Sequence, residues 1–284
     1  MVPRKQSRIS QGLFTFWMGC GILLGTSLIG IINLGRVPST SWPLYVLMVS
    51  SGIVWATGTL AYCIAVKYIG LSRSTPVKNL SAIFGTLIGI VIFHEFSISR
   101  FLPCALAIMG SLAVVVSTTL LSRVESFDDA VDVDKKPKYI WGILSALWAA
   151  IAYSAYTVPM KMAYAQHITP SAFLYFMGQG CFIGMTLLAV ALRTWKRKEP
   201  ITWHERRMAA LSGLMWAAGS FCANTAIKSI GIAVAWPLTK NTVIAVLYGV
   251  FVLKEIDTIK HKNELRIGLA LSIAGIILLA VAMK

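Results

Sequence analysis

Acidic side chains are scarce in this chain of 284 residues, which has 11 Asp and Glu against 26 Lys and Arg. All 11 acids lie outside the interiors of the long apolar runs. The five cysteines lie inside those runs without metal-ligand spacing, and the four histidines lie between them. The sequence therefore supports neither a disulfide framework nor a metal site. It also lacks a glycine-rich phosphate loop and a nucleophile triad, so it predicts no enzyme, no catalytic residue and no cofactor.

Apolar residues make up 57% of the chain, charged residues only 13%, and the mean hydropathy is +0.72. This composition is typical of a membrane protein with several spans, in contact with lipid. Apolar runs of about 20 residues predict transmembrane helices. They lie at residues 12–33, 43–66, 74–93, 101–121, 139–160, 169–192, 208–227, 232–253 and 265–283. The predicted fold class is an all-α polytopic membrane protein.

The net charge of +15 comes from basic residues placed in short segments between the apolar runs. Nineteen of these residues lie on the side of the N-terminus and five on the other side. That bias follows the positive-inside rule and does not resemble a nucleic-acid surface. We therefore expect a multi-pass protein of the plasma (bacterial inner) membrane, with its N-terminus in the cytoplasm and its C-terminus outside. No nucleic-acid partner is expected.

The chain contains an internal repeat. The segment Ser51–Gly58 recurs 161 positions later at Ser212–Gly219, and the match continues through Ile69-Gly70 and Ile230-Gly231 to Glu95 and Glu255. Glu95 ends a span on the outer side and Glu255 ends one on the inner side, so the copies are inverted. Inverted repeats of apolar helices are typical of secondary transporters.

The repeat divides the chain into a first transmembrane repeat, 1–122, a charged linker, 123–138, and a second transmembrane repeat, 139–284. The first repeat has four predicted helices and the second five. Nothing in the first repeat pairs with the span 139–160, so we expect a ten-helix fold that lacks its first helix. Repeat-matched glycines four residues apart, such as Gly21 and Gly25 or Gly180 and Gly184, predict close helix packing.

The motif Gly52-x-x-Trp55-x-x-Gly58, the two inverted units and the span ending in Glu95 resemble the drug/metabolite transporter (EamA-like) superfamily. Within it, Ile53–Gly58 and Tyr156–Lys161 are most similar to the glucose/ribose porter branch. The resemblance covers the chain from residue 11 to its end and implies that a sugar is carried. Lys78-Asn79 departs from the uncharged polar residues expected there in a sugar porter.

Polar groups at membrane depth are the candidates for substrate binding. Lys78 and Lys240 follow Pro76 and Pro237 inside apolar spans, and a lysine there costs about 2.5–3.5 kcal/mol on insertion scales. We expect them to face a cavity; the alternative is that each side chain reaches the nearer interface. Amides and aromatic rings suit sugar hydroxyls and C–H faces, although any ring could instead belong to an interfacial belt or to helix packing. The predicted substrate-binding residues are Trp55, Tyr62, Lys78, Asn79, Tyr153, Tyr156, Gln179, Trp216, Asn224, Trp236, Lys240 and Asn241.

The function predicted is secondary transport of a small polar metabolite, a sugar, by alternating access between inverted repeats. One alternative is an anionic metabolite, or export of drugs and metabolites, through the paired Lys78 and Lys240. A second alternative is a truncated membrane protein that transports nothing. The sequence leaves open whether a proton or a sodium ion is coupled to transport and whether the protein forms a homodimer.

Overall fold

A computed structural model describes residues 11–96, 101–124, 136–193, 202–240 and 262–283. These residues form helices joined by turns, and no strand occurs among them. The helices are α1 Gln11–Leu34, α2 Trp42–Asn79, α3 Ser81–Leu87, α4 Phe101–Val124, α5 Lys136–Ala155, α6 Thr157–Ala165, α7 Pro170–Ala191, α8 Trp203–Ile230, α9 Ile232–Leu238 and α10 Lys262–Ala282. A π-helix, Ile88–Ile92, continues α3.

Seven helical segments in the described part of the chain are long and apolar enough to cross a bilayer. They correspond to seven of the nine predicted spans, which makes the chain a multi-pass membrane protein. The predicted span 208–227 lies inside the 28-residue helix α8, which is not among the seven. The predicted span 232–253 is described only as far as Lys240, and its remainder lies outside the described residues.

The first compact unit consists of Met1–Cys63 and Ala155–Lys228. Its helices touch through glycines, because a Cβ atom on Gly52 would collide with the carbonyl oxygen of Met177, and one on Gly180 would collide with that of Val49. Gly21 lies in the same way against the carbonyl of Ala210. The predicted close packing at Gly21 and Gly180 is therefore present.

The second compact unit consists of Ile64–Ser154 and Ser229–Lys284. Helices α4 and α10 pack side by side along their lengths, with Gly110 against the carbonyl of Gly275. The hydroxyl of Ser117 donates to the carbonyl of Gly268 at 2.7 Å. Each unit thus takes segments from both predicted repeats. The division 1–122 and 139–284 describes sequence similarity, and the compact units cut across it.

Two helix breaks in the second unit have the same backbone conformation. Gly70 interrupts α2 with φ 78° and ψ 165°, and Gly231 precedes α9 with φ 83° and ψ 166°. This region of φ and ψ is open essentially to glycine alone. The two glycines are partners in the sequence repeat, so the repeat extends to the backbone geometry of both positions.

Candidate functional site

Six residues of the second unit are linked by sequence adjacency, by the hydrogen bond from Trp236 to Ser81 and by the ring contacts of Lys240. We name them the lysine cluster: Lys78, Asn79, Ser81, Tyr153, Trp236 and Lys240. The carbonyl of Ser81 joins the helices α5 and α9. It accepts a hydrogen bond from the Trp236 indole at 2.9 Å and another from the Ser154 hydroxyl at 3.1 Å. The indole also lies directly on Gly85, where a side chain would collide with it. The Trp236 ring is therefore fixed.

Lys240 lies two residues beyond the end of α9 and folds back onto this ring. Its ammonium nitrogen is 3.6 Å from the centroid of the Trp236 ring and 5.8 Å from that of the Tyr153 ring. A cation over an aromatic face is attracted by the negative face of the ring. These contacts place the Lys240 ammonium against the rings of Trp236 and Tyr153.

Asn79 is only 1% exposed, and neither its Oδ1 nor its Nδ2 has a hydrogen-bond partner among the described residues. The buried hydroxyl of Ser81, two residues further on, also lacks a partner there. Each buried polar group left without a partner costs about 1–3 kcal/mol. A ligand with hydroxyl groups would satisfy both the donor and the acceptor of such an amide.

Two contacts in the first unit involve predicted binding residues, Trp55 with Trp216 and Tyr164 with Asn224, and we name these four residues the tryptophan cluster. The rings of Trp55 and Trp216 are 4.2 Å apart between centroids, and their planes meet at 44°. These two residues occupy matching positions in the sequence repeat. Asn224, 1% exposed, lies two turns further along α8 and has no described partner for its Nδ2. Its backbone carbonyl accepts from the Tyr164 hydroxyl at 3.4 Å.

The structure separates the predicted binding residues into these two units. Gln179 lies in the first unit, where its Oε1 accepts from the Tyr45 hydroxyl at 3.2 Å. Tyr62 and Tyr156 are buried in the same unit. The second unit holds Lys78, Asn79, Tyr153, Trp236 and Lys240. Asn241 lies outside the described residues.

Three contributors were not among the predicted binding residues. Ser81 contributes its backbone carbonyl, and because every residue has one, the sequence does not single it out. Tyr164 belongs to the short helix α6, and its role depends on the position of α8. Glu95, which ends a predicted span, accepts from the backbone N–H groups of Ile232 at 2.8 Å and Ala233 at 2.7 Å. It therefore caps the start of α9, the helix that carries Trp236.

Histidine, cysteine, aspartate and glutamate side chains form no group of three or more that could hold a metal ion in the part of the chain that the structure describes. The described residues of the two clusters supply amides, hydroxyls, aromatic rings and two lysine amino groups. Such groups bind a polar ligand by hydrogen bonds and ring contacts.

A family model described as sugar transport protein matches residues 17–282. Two relatives are similar over most of their length. The glucose uptake protein GlcU of Bacillus subtilis (strain 168) is 24% identical over 265 residues, 92% of this chain and 88% of the relative. The probable glucose uptake protein GlcU of Priestia megaterium is 26% identical over 239 residues, 82% of this chain and 78% of the relative. A protein crystal structure shares the fold, with a TM-score of 0.70 and 18% sequence identity. The match covers 97% of this chain and 90% of the chain in that structure.

Proposed function

This chain belongs to the sugar transport protein family, and from that premise we propose that it carries a small sugar of the glucose or ribose kind across a bacterial plasma membrane. The family membership and the names of the relatives support sugar as the substrate class. The observation that carries the proposal for this chain is the buried amide of Asn79 in the second unit, whose Oδ1 and Nδ2 both lack a hydrogen-bond partner among the described residues.

A transporter must release its substrate, so its binding groups are unsatisfied when the site is empty. In the second unit Asn79 offers a donor and an acceptor, and in the first unit Asn224 offers a donor. Within the first unit, the rings of Trp55 and Trp216 supply apolar faces of the kind that contact the C–H groups of a sugar. The stability cost of the unpaired amides in the empty protein is recovered when sugar hydroxyls pair with them.

The proposed mechanism is alternating access between two inverted repeats of four and five helices, which belong to a ten-helix architecture of the drug/metabolite transporter superfamily. The matched breaks at Gly70 and Gly231 support it, because each changes the direction of the helical backbone ahead of one lysine of the cluster. Lys78 follows eight residues after Gly70, and Lys240 follows nine after Gly231. In the same proposal the N-terminus is cytoplasmic and the C-terminus lies outside, as the charge bias predicts.

The test replaces Asn79 by Leu in the purified full chain reconstituted in liposomes. If Asn79 stabilises the fold through hydrogen bonds, its replacement by Leu should lower the melting temperature. If Asn79 instead binds sugar, its replacement by Leu should leave the melting temperature unchanged or raise it. Saturable uptake of labelled glucose or ribose should then fall about tenfold or more, the equivalent of ~1.4 kcal/mol. Asn33→Leu is the matched control, because Asn33 is exposed and bonded to the carbonyl of Ile29.

Two results would contradict the proposal. Unchanged uptake in Asn79→Leu would show that this amide does not contact the sugar. The absence of saturable uptake in the unmodified, correctly incorporated chain would favour the non-transporting alternative.

A further inference from the structure

Two hydrogen-bond donors without acceptors meet in one contact where α1 and α8 begin in the first unit. The Nε of Arg206 and the indole Nε1 of Trp17 are buried, and neither has a hydrogen-bond partner among the described residues. The guanidinium carbon of Arg206 lies 5.4 Å from the centroid of the Trp17 ring. Both side chains are only half-buried, so the contact also reaches the surface of the unit. Since guanidinium and indole groups can only donate, the contact lacks an acceptor.

The backbones of α1 and α8 hold this contact in place. A Cβ atom on Gly213 would collide with the carbonyl oxygen of Met18. Met18 directly follows Trp17, and Gly213 lies about two turns after Arg206. Helices that pack backbone against backbone leave no space for one to shift past the other. Arg206 and Trp17 are therefore brought together by helix packing.

The acidic residues of the first unit are few. Its sequence contains two, Glu199 and Glu205. The Oε2 of Glu205 accepts from the N–H and the hydroxyl of Thr202, at 3.1 and 3.0 Å, at the exposed start of α8. Glu199 lies outside the described residues. From Arg193 to Arg207 the sequence places six Lys and Arg beside these two acids, and this excess of positive charge attracts an anion from outside the chain.

The contact lies near the level at which a bilayer carries its phosphate groups. Trp17 is six residues, ~9 Å, from the start of α1, and Arg206 is three residues, ~4.5 Å, from the start of α8. The predicted apolar spans of these helices begin at residues 12 and 208. Arginine and tryptophan side chains at span ends reach toward lipid headgroups, and basic pockets between helices bind lipid phosphates.

We propose that Arg206 and Trp17 bind the phosphate of an anionic lipid at the membrane face where α1 begins. The phosphate oxygens accept from the guanidinium, whose planar donors match them in pairs, and from the indole N–H. This lipid site adds to the proposed sugar transport and does not depend on which sugar is carried.

Lipid titration of the purified full chain in a non-ionic detergent tests the proposal. The melting temperature is followed while phosphatidylglycerol, phosphatidylcholine or inorganic phosphate is added. A ligand that binds the folded chain raises its melting temperature in a saturable way. We expect phosphatidylglycerol to do so at concentrations about tenfold or more below those of phosphatidylcholine, whose choline cation offsets the charge of its phosphate. Equal stabilisation by inorganic phosphate at the same concentrations would overturn the assignment to a lipid.

Substitutions then assign the effect to the contact. Arg206→Gln should lower the apparent affinity for phosphatidylglycerol about tenfold or more, because it removes the charge-assisted bonds. Trp17→Phe keeps an aromatic ring, removes the N–H and should lower that affinity about threefold or more. Arg207→Gln is the matched control, because it makes the same change of charge at the adjacent, exposed arginine and should leave the affinity close to that of the unmodified chain.

Three results would overturn the lipid site. Equal losses of affinity in Arg206→Gln and Arg207→Gln would show a general attraction between the basic segment and anionic lipid. A melting temperature that does not respond to phosphatidylglycerol would show that no such lipid is bound. An unchanged affinity in Trp17→Phe would remove the indole from the site, and this variant with the unmodified chain decides the matter if Arg206→Gln does not fold.

Discussion

Glu95 provides the sharpest test of how the fold holds the lysine cluster. Its carboxylate joins the end of the π-helix to the start of α9, with Oε1 2.8 Å from the nitrogen of Ile232 and Oε2 2.7 Å from that of Ala233. Gly231, the residue before Ile232, lies against the Glu95 carboxylate. A Cβ atom added to Gly231 would lie 2.7 Å from Oε2 of Glu95. Glu95 also bonds through its own N–H to the carbonyl of Gly89 at 3.0 Å.

The substitution Glu95→Ala removes both bonds to the start of α9. Hydrogen bonds to a charged group contribute about 1.5–3 kcal/mol each, and the helix N-terminus adds a smaller attraction for the carboxylate. Since the half-buried carboxylate is partly hydrated, we take the lower end and expect a loss of about 3 kcal/mol in the free energy of unfolding. At roughly 2–4 °C per kcal/mol, the melting temperature should fall by roughly 6–12 °C.

The assay follows the fluorescence of the nine tryptophans during heating of the purified chain in detergent. Glu95→Gln should show a smaller loss, because one oxygen remains to accept while the new NH₂ group faces a backbone N–H. The control is Glu205→Ala, whose carboxylate caps the exposed start of α8 by accepting from Thr202 N–H at 3.1 Å. An exposed cap of this kind contributes about 1 kcal/mol. Equal melting temperatures for Glu95→Ala and Glu205→Ala would refute the reasoning.

Two further predictions concern packing and orientation. Gly180→Ala should destabilise the first unit and reduce folded yield, because its Cβ meets the Val49 carbonyl, whereas Gly219→Ala meets no described atom and should be neutral or stabilising in thermal unfolding. In a chain freed of its native cysteines, single cysteines at Ser126 and Lys198 should be shielded from an impermeant thiol reagent in intact cells, and one at Gly35 should be labelled; the reverse pattern would contradict the cytoplasmic N-terminus.

The transmembrane helices were predictable because hydropathy acts locally along the chain. Seven predicted spans agree with span-capable helices, and the repeat alignment identified Gly70 and Gly231 as partners before their shared conformation was visible. The close contacts at Gly21 and Gly180 followed from the spacing of small residues alone. These features depend on the local composition of the chain and on the spacing of its small residues, and both can be read from a single sequence.

The division into compact units was not predictable, because it depends on long-range packing. Residues 11–63 join 155–228 instead of the rest of the first repeat. The group at Ser81 that accepts hydrogen bonds from Trp236 and Ser154 is a backbone carbonyl, so no side-chain pattern indicates it. Asn79 was predicted as a binding residue from its place beside Lys78, but the sequence could not show that both atoms of its amide lack a described partner. That property depends on what surrounds the side chain in three dimensions.

Counterflow in liposomes tests the claim of a sugar carrier most directly. Vesicles containing the chain are loaded with a high concentration of unlabelled glucose or ribose and diluted into a trace of the same labelled sugar. A carrier that alternates between two faces exchanges one molecule for another, so the label should accumulate transiently above its equilibrium level and then decline. Monotonic equilibration or no entry for every sugar, in vesicles shown to contain the folded protein, would contradict the account.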